Sequence, residues 1–342
     1  MVRIVLPVLV ATGAVLAVVS VAGNSREIVR DIHRVQPWLV AAALACEVLR
    51  FVCLAIHLSL LGGPVPNVRR LAPFRLAWLV FGFGSILPAA PAEGLVMADS
   101  ALHLRHLDRR RRLVVLGVSQ FFSTASLYAL AGITALIVVA VAHEGPFPDS
   151  WTLVVGGGTT LVLLALIGIL TTRARFAEFV ALIAGRVLHP RSHPPEAELR
   201  ARGRAWHDAV MHVLANPTRA GFLVLSALVA WVFDGMCLLL ALRAVGVHVD
   251  LDVLLLAYTV GTAAAFIPLL PAGLGVVETV TPAVLHLYGV PWEAALAGLL
   301  VYRVLGTLLP ALVGATSLAT LRIQSSPAEK EAPDNTPAAS RS

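Results

Sequence analysis

The chain has 342 residues, of which 58% are hydrophobic and 13% charged, with a formal net charge of +6. Its mean hydropathy of +0.84 excludes a soluble domain of this length and predicts an integral membrane protein. Most of the positive charge comes from loop arginines, which favours basic cytoplasmic loops on anionic lipid over a nucleic acid partner. Because apolar and polar residues do not alternate strictly, the spans are predicted to be helices, not barrel strands.

Eight apolar segments follow one another along the chain. Six are predicted to be ordinary spanning helices, at 4–22, 37–61, 113–142, 151–172, 220–245 and 292–321. The first is longer than the apolar part of a usual signal peptide, so we expect a retained helix there. The other two segments, 73–104 and 253–288, are interrupted by proline and glycine.

The two interrupted segments share a motif, which reads SILPAAPAEGLVMAD in the first and AFIPLLPAGLGVVET in the second. Proline and glycine leave backbone groups unpaired, which membrane depth tolerates only where protein or water satisfies them. Paired breaks of this kind indicate the binding site of a transporter. The predicted break residues are Pro88, Pro91 and Gly94 in the first segment and Pro268, Pro271, Gly273 and Gly275 in the second.

Segment length favours a re-entrant hairpin at each break. A straight helix over 73–104 would be ~48 Å long, whereas the hydrocarbon core is ~30 Å thick. Two full crossings need ~40 residues, more than either segment provides. Two half-depth arms therefore fit best, with tilted and kinked spans as the alternative.

Flanking charges predict the topology. Arginines on both sides of the first hairpin place both of its flanks in the cytoplasm, whereas acidic flanks place the second hairpin outside. Both termini are then cytoplasmic, and residues 1–142 and 151–322 form two inverted repeats. The basic connector 173–219 is predicted to form interfacial helices on the inner leaflet, and 323–342 a disordered cytoplasmic tail.

Ionisable side chains inside apolar segments are functional candidates, because each costs about 2.5–3.5 kcal/mol at a helix centre. Glu47 and Arg50 are three residues apart and can neutralise each other. Asp234 has three open partners, namely Arg303, Arg50 or a nearby hydroxyl. The candidate substrate-binding residues are Glu278, Arg303, Tyr302, Glu93, Asp99, Asp234 and Arg50.

Arg303 and Glu278 are the most informative of these residues. A guanidinium offers a donor fork that matches phosphate, and a neighbouring carboxylate can hold it in the empty site or bind a cationic headgroup. The alternative is an ion pair that only fastens the last span to the hairpin. The sequence has no metal-ligand spacing, nucleotide-binding loop or hydrolase motif, so we expect no metal, no cofactor and no enzymatic activity.

The sequence IPLLPAGLGVVE at 267–278, followed by YRVLGTLLPALVG at 302–314, resembles the membrane region of lysylphosphatidylglycerol synthases and related flippase-like proteins. SILPAAPAEG fits that family's earlier motif. In the aminoacyl-lipid synthases this region moves the modified lipid between leaflets, and a separate cytosolic domain makes it. The resemblance places Pro268, Pro271, Gly273, Gly275, Glu278 and Arg303 at the family's motif positions. Because only about 20 residues follow the last span, we do not expect aminoacyl transfer.

The resulting hypothesis is a plasma-membrane flippase that moves an anionic phospholipid or glycolipid through a polar midplane site. One alternative is a membrane-embedded enzyme, or enzyme subunit, acting on polyprenyl-phosphate-linked sugars, with Glu93 or Asp99 as the base. The other is a non-transporting partner of a lipid-modifying or glycosyl-transfer enzyme. Membrane lipids are the expected partners.

Overall fold

The computed structural model describes residues 36–62, 72–82, 109–141, 150–188, 194–265 and 275–324. The described residues are helical apart from short connections and contain no strand, which confirms the predicted all-α class. The predicted span 4–22, most of the first interrupted segment and nearly all of the tail 323–342 lie outside these ranges. So do Glu93, Asp99 and every predicted break residue except Gly275.

Eleven helices and two π-helical turns make up the described part of the chain. The helices are α1 (Pro37–Gly62), α2 (Ala72–Ala77), α3 (Arg109–Val141), α4 (Ser150–Thr171), α5 (Ala174–Leu188), α6 (Glu196–Leu214), α7 (Pro217–Ala244), α8 (Leu251–Ala265), α9 (Val276–Leu287), α10 (Trp292–Arg303) and α11 (Leu309–Gln324). The π-helical turns are Trp78–Gly82, after α2, and Val304–Leu308, between α10 and α11.

Four stretches of the described residues are long and apolar enough to cross a membrane. They are Pro37–Leu61, Gly117–Ala140, Pro217–Ala244 and Trp292–Ser317, and they match four of the predicted spans. Helix α4 covers the predicted span 151–172 and bends by 103° into α5, so this pair adds a fifth candidate at most. The chain is therefore a multi-pass helical membrane protein, with four or five candidate spans among its described residues.

Helices α1 and α7 form an antiparallel pair. At one end, the backbone N–H of Gln36 donates to the carbonyl of Ala244 at 3.1 Å. At the other end, the guanidinium of Arg219 donates to the carbonyl of Leu60. The two helices are in register, so residues at matching distances from these ends lie at the same depth.

The basic connector folds into the paired helices α5 and α6. A Cβ on Gly203 of α6 would lie 2.6 Å from the carbonyl oxygen of Ala177 in α5, so the small residue permits this close approach. The carboxylate of Glu178 pairs with Arg200 at 3.5 Å and Arg204 at 3.1 Å. The outward face of α5 is apolar, which fits the predicted interfacial helices. Their contact with lipid stays a prediction.

The described parts of the second interrupted segment form two short antiparallel arms, α8 and α9. Gly261 of α8 packs directly against Thr281 of α9. At the ends of the arms away from the break, Tyr288 follows α9 and lies near Asp252 of α8. The arms have 15 and 12 residues, or ~22 and ~18 Å. Each is shorter than a ~30 Å hydrocarbon core.

Candidate functional site

Two clusters of polar side chains lie at mid-height in the bundle. Tyr302 lies ten residues after Trp292, within a candidate span of 26 residues. Glu47 lies ten residues after Pro37, and Asp234 ten residues before Ala244. Ten helical residues rise ~15 Å, which is half the thickness of a hydrocarbon core. The neighbouring residues Tyr302 and Arg303 bring α10 into both clusters.

The first cluster, here called the acidic network, consists of Glu47, Arg50, Asp234, Tyr258 and Tyr302. Nη1 of Arg50 donates to Oε1 of Glu47 at 2.6 Å and lies 3.3 Å from Oδ1 of Asp234. The hydroxyl of Tyr258 donates to Oδ2 of Asp234 at 2.8 Å, and that of Tyr302 lies 3.1 Å from both carboxylate oxygens. Glu47 is fully buried, and Asp234 is 2% exposed. The network joins α1, α7, α8 and α10.

The structure shows which of the three candidate partners of Asp234 its carboxylate contacts. Its carboxylate binds Arg50 and two tyrosine hydroxyls, whereas Arg303 binds elsewhere. The predicted Glu47–Arg50 pair is confirmed. The guanidinium carbon of Arg50 also lies 5.7 Å from the ring centre of Trp231 and 5.5 Å from that of Phe51, and these cation–π contacts further stabilise the buried charge.

The second cluster is the Arg303–Glu278 pair at the inner end of α9. Nε of Arg303 donates to Oε1 of Glu278 at 2.6 Å, and Nη1 donates to the hydroxyl of Thr307 at 3.3 Å. The other oxygen of Glu278 accepts the backbone N–H of Gly275 at 2.8 Å. Both charged side chains are buried, with 9% and 2% exposed. The predicted Glu278–Arg303 contact is therefore present.

Local backbone features position this pair. Gly275 has a φ of +81°, a left-handed conformation that favours glycine, and it precedes the first residue of α9. Glu278 lies in the first turn of α9, where the helix dipole stabilises a carboxylate. After Arg303 the helix widens into the π-helical turn, in which Leu309 donates to the carbonyl of Val304. Pro310 has no N–H to donate, which accounts for a break in the regular ladder at this point.

The two clusters have different formal charges. With every carboxyl and guanidinium group ionised and both tyrosines neutral, the Arg303–Glu278 pair is neutral, whereas the acidic network carries two carboxylates and one guanidinium. A guanidinium beside a carboxylate can exchange its partner for a phosphate, because both anions accept its donors in the same fork geometry. No group of three or more His, Cys, Asp or Glu side chains suited to a metal occurs among the described residues.

Two polar residues of this region were missed by the sequence analysis. Tyr258 gives no signal, because a tyrosine in an apolar helix does not reveal its partner. His57 could have been found, since it shares a helical face with Glu47, Arg50 and Leu54 at the spacing i, i+3, i+7, i+10. His57 is fully buried. Its ring nitrogens lie 3.0 Å from the carbonyl of Leu223 and 3.1 Å from that of Ser119.

Comparison with known protein families gives one match. The sequence model of the family described as the lysylphosphatidylglycerol synthase TM region matches residues 4–314, which include both polar clusters and all helices up to the middle of α11. A comparison with curated proteins found no match. The chain belongs to the lysylphosphatidylglycerol synthase TM region family.

Proposed function

We propose that this family member moves an anionic phospholipid or glycolipid between the leaflets of the plasma membrane. The headgroup would cross the midplane at the Arg303–Glu278 pair, while the acyl or prenyl chains stay in the bilayer. The observation that carries this proposal is a buried arginine at mid-depth, held by one carboxylate where a short helix begins. The family match supports an action on lipids.

The exchange of partners at Arg303 is the central step of the proposal. In the empty site, Glu278 accepts Nε of Arg303 and the backbone N–H of Gly275. An arriving phosphate would take over the guanidinium by a bidentate contact. Glu278 would stay bound to Gly275 and would be placed to receive a cationic part of a headgroup.

Reciprocal packing supports the proposed inverted repeats. Helix α2, which follows the second predicted span of the first half, packs through its π-helical turn against α11, the end of the second half. Gly82 meets the backbone of Pro310 there. In the second half, α8 occupies the corresponding place in sequence and packs against α3, the end of the first half. Two repeats with a pseudo-twofold axis would exchange contacts in this way.

Transport is tested by reconstituting the purified protein into liposomes with headgroup-labelled phosphatidylglycerol or glycolipid. We expect leaflet exchange, and we expect Arg303→Lys to remove most of it, because an ammonium cannot make the bidentate contact. Arg202→Lys is the matched control, since Arg202 is half exposed and bound to Glu198 on α6. Full activity in Arg303→Leu with Glu278→Leu would reject a headgroup clamp.

The same purified protein separates the alternatives. Turnover of a polyprenyl-phosphate-linked sugar without leaflet exchange would favour the membrane-embedded enzyme. Neither exchange nor turnover would favour the non-transporting partner of a lipid-modifying or glycosyl-transfer enzyme.

The proposed re-entrant topology is tested by cysteine labelling after replacement of Cys46, Cys53 and Cys237. Cysteines at positions 69 and 106 should be shielded from an impermeant thiol reagent in intact cells, and cysteines at 250 and 290 should be labelled. Opposite labelling within either pair would mean that the intervening segment spans the membrane, and the inverted repeats would be rejected.

A further inference from the structure

One carboxylate oxygen of the acidic network stands apart from the rest. Oε1 of Glu47 accepts Arg50, whereas Oε2 is buried and has no hydrogen-bond partner among the described residues. Asp234, in contrast, accepts from Tyr258, Tyr302 and Arg50. The guanidinium lies closer to Glu47 than to Asp234, at 2.6 and 3.3 Å, but it is the only donor to Glu47 among the described residues. Glu47, with one buried oxygen that lacks a donor, is therefore the less well stabilised of the two as an anion.

Charge balance leads to the same residue. Two ionised carboxylates and one guanidinium leave the network with one net negative charge at mid-depth, where an uncompensated charge is expensive. Tyr258 and Tyr302 donate hydrogen bonds without adding charge. A proton on Oε2 of Glu47 would remove both the net charge and the ionised oxygen that lacks a donor.

We infer that Glu47 is a proton-binding site and, resting on the proposed lipid transport, that its proton travels with the anionic lipid. Glu47 exchanges this proton with water as its carboxyl ionises and reprotonates. A phosphate bound at Arg303 adds negative charge next to Tyr302 and the network, so lipid binds most tightly when Glu47 is neutral. By linkage, a proton on Glu47 binds most tightly when lipid is present. The result is symport, with a defined direction relative to the proton gradient.

Several other ionisable groups face Glu47 or lie on helices packed against α1. Among the described residues they are Cys46, Arg50, Cys53 and His57 on α1 itself, Arg75 on α2, Arg109, Arg110, Arg111, Arg112 and Tyr128 on α3, Arg219, Asp234, Cys237 and Arg243 on α7, Tyr258 on α8 and Tyr302 on α10. Of these, His57 is the main rival for the proton. Both of its ring nitrogens face a backbone carbonyl, so a neutral ring can donate to only one of the two. His57 lies ten residues from Glu47, or ~15 Å along the helix.

The proton site itself is tested without any transport. Infrared difference spectra between about pH 6, where carboxyl groups with an ordinary pKa of about 4 are already ionised, and alkaline pH, on the protein in lipid nanodiscs, should contain the carbonyl stretch of a protonated carboxylic acid. Glu47→Gln should remove this band, Glu47→Asp should shift it, and Glu198→Gln, at an exposed carboxylate on α6, should leave it in place. Gln keeps an oxygen for the bond from Arg50, so the fold is expected to survive. A band that persists in Glu47→Gln, or no band at all, overturns the proton site.

Coupling is tested in proteoliposomes that contain headgroup-labelled phosphatidylglycerol, with a pH difference imposed in either direction. We expect labelled lipid to accumulate in the leaflet facing the alkaline side, by up to ~tenfold per pH unit for one proton per lipid. The direction is independent of how the protein inserts, because symport follows the gradient. In Glu47→Gln the leaflet ratio should no longer depend on the gradient, whereas Glu198→Gln and His57→Gln should keep the dependence.

Four results would overturn the coupling. In the unaltered protein, they are accumulation of labelled lipid on the acidic side and a leaflet ratio that does not depend on the pH gradient. In the variants, they are a gradient dependence that persists in Glu47→Gln, and one that disappears in His57→Gln but not in Glu47→Gln. If the unaltered protein moves no lipid at equal pH, the proposed transport fails and the coupling fails with it. The infrared band then still decides whether Glu47 binds a proton.

Discussion

The acidic network and the Arg303–Glu278 pair lie at the same depth along α10 but differ in composition and connections. The network joins four helices and holds Asp234 with three donors. Among the described residues, the pair joins α9 and α10 and balances one charge with one countercharge. A cluster that joins many helices suits a fixed scaffold, whereas a one-to-one pair at a helix start can open without disturbing the rest of the bundle.

The comparison also explains why the two clusters are adjacent. The network fixes the position of Tyr302, and the next residue, Arg303, is held by Glu278 from α9. The π-helical turn Val304–Leu308 connects these residues to α11. A Cβ on Gly306, in this turn, would lie 3.7 Å from Oδ1 of Asp234. A fixed support beside an exchangeable pair is the arrangement that a binding site needs.

The largest expected effects on stability come from replacing Arg50 or Arg303, one at a time, with leucine. Arg50→Leu leaves Asp234 buried without a countercharge and Glu47 without its donor, so we expect a loss of stability at the upper end of the ~3–5 kcal/mol seen for broken buried pairs. Arg303→Leu leaves only Glu278, which still accepts from Gly275, so its loss should be nearer the lower end. Thermal unfolding in detergent measures both, with Arg202→Leu as an exposed control. Equal losses for the two variants would contradict the contrast between scaffold and pair.

Double replacements sharpen the contrast further. Arg303→Leu with Glu278→Leu removes a balanced pair, which apolar residues often replace with little or no loss of stability. Glu47→Leu with Arg50→Leu instead leaves Asp234 buried with two hydroxyl donors and no cation. We expect the free energy of unfolding of the first double variant to lie within about 1 kcal/mol of that of the unaltered protein, and that of the second to fall by several kcal/mol. A second double variant as stable as the first would show that the tyrosines alone suffice for Asp234.

Sequence reasoning found the charges of this region but not all of their connections. Glu278 and Arg303 were paired correctly, because each stands beside a break or a motif within apolar sequence. The partner of Asp234 stayed open, because choosing Arg50 over Arg303 requires the antiparallel register of α1 and α7. The π-helical turn Val304–Leu308 was not predicted. The sequence motif contains Pro310, but a proline in a helix can also produce a kink, so it does not by itself indicate a π-helical turn. The all-α class followed from composition alone. Segment length and the break residues predicted two half-depth arms over 253–288, whereas the packing of Gly261 against Thr281 between α8 and α9 required coordinates.

Removing single hydroxyls tests how Asp234 is held. Tyr258→Phe and Tyr302→Phe each delete a donor to a buried carboxylate, so we expect each to lose about 1.5–3 kcal/mol, the range for hydrogen bonds to charged groups. Tyr128→Phe is the matched control, because its hydroxyl donates to the uncharged carbonyl of Ala263 at 3.3 Å. Its loss should be only about 0.5–1.5 kcal/mol. Denaturant unfolding compares the three, and a larger loss for Tyr128→Phe would argue against an ionised Asp234.

The smallest expected effect lies at Gly306, in the π-helical turn between the two clusters. A Cβ there would lie 3.3 Å from the ring of Tyr302, so that ring must shift by a few tenths of an ångström. Gly158→Ala in α4 is the control, because a Cβ at that position meets nothing within 4 Å. Alanine should stabilise a helical site of this kind by about 0.5–1 kcal/mol. We expect that gain at Gly158 and a net change between zero and about 1 kcal/mol of destabilisation at Gly306, measured by thermal unfolding. If Gly306→Ala stabilises the protein as much as Gly158→Ala does, the turn leaves room beside Tyr302, and the close packing that we assign to this part of the scaffold is wrong.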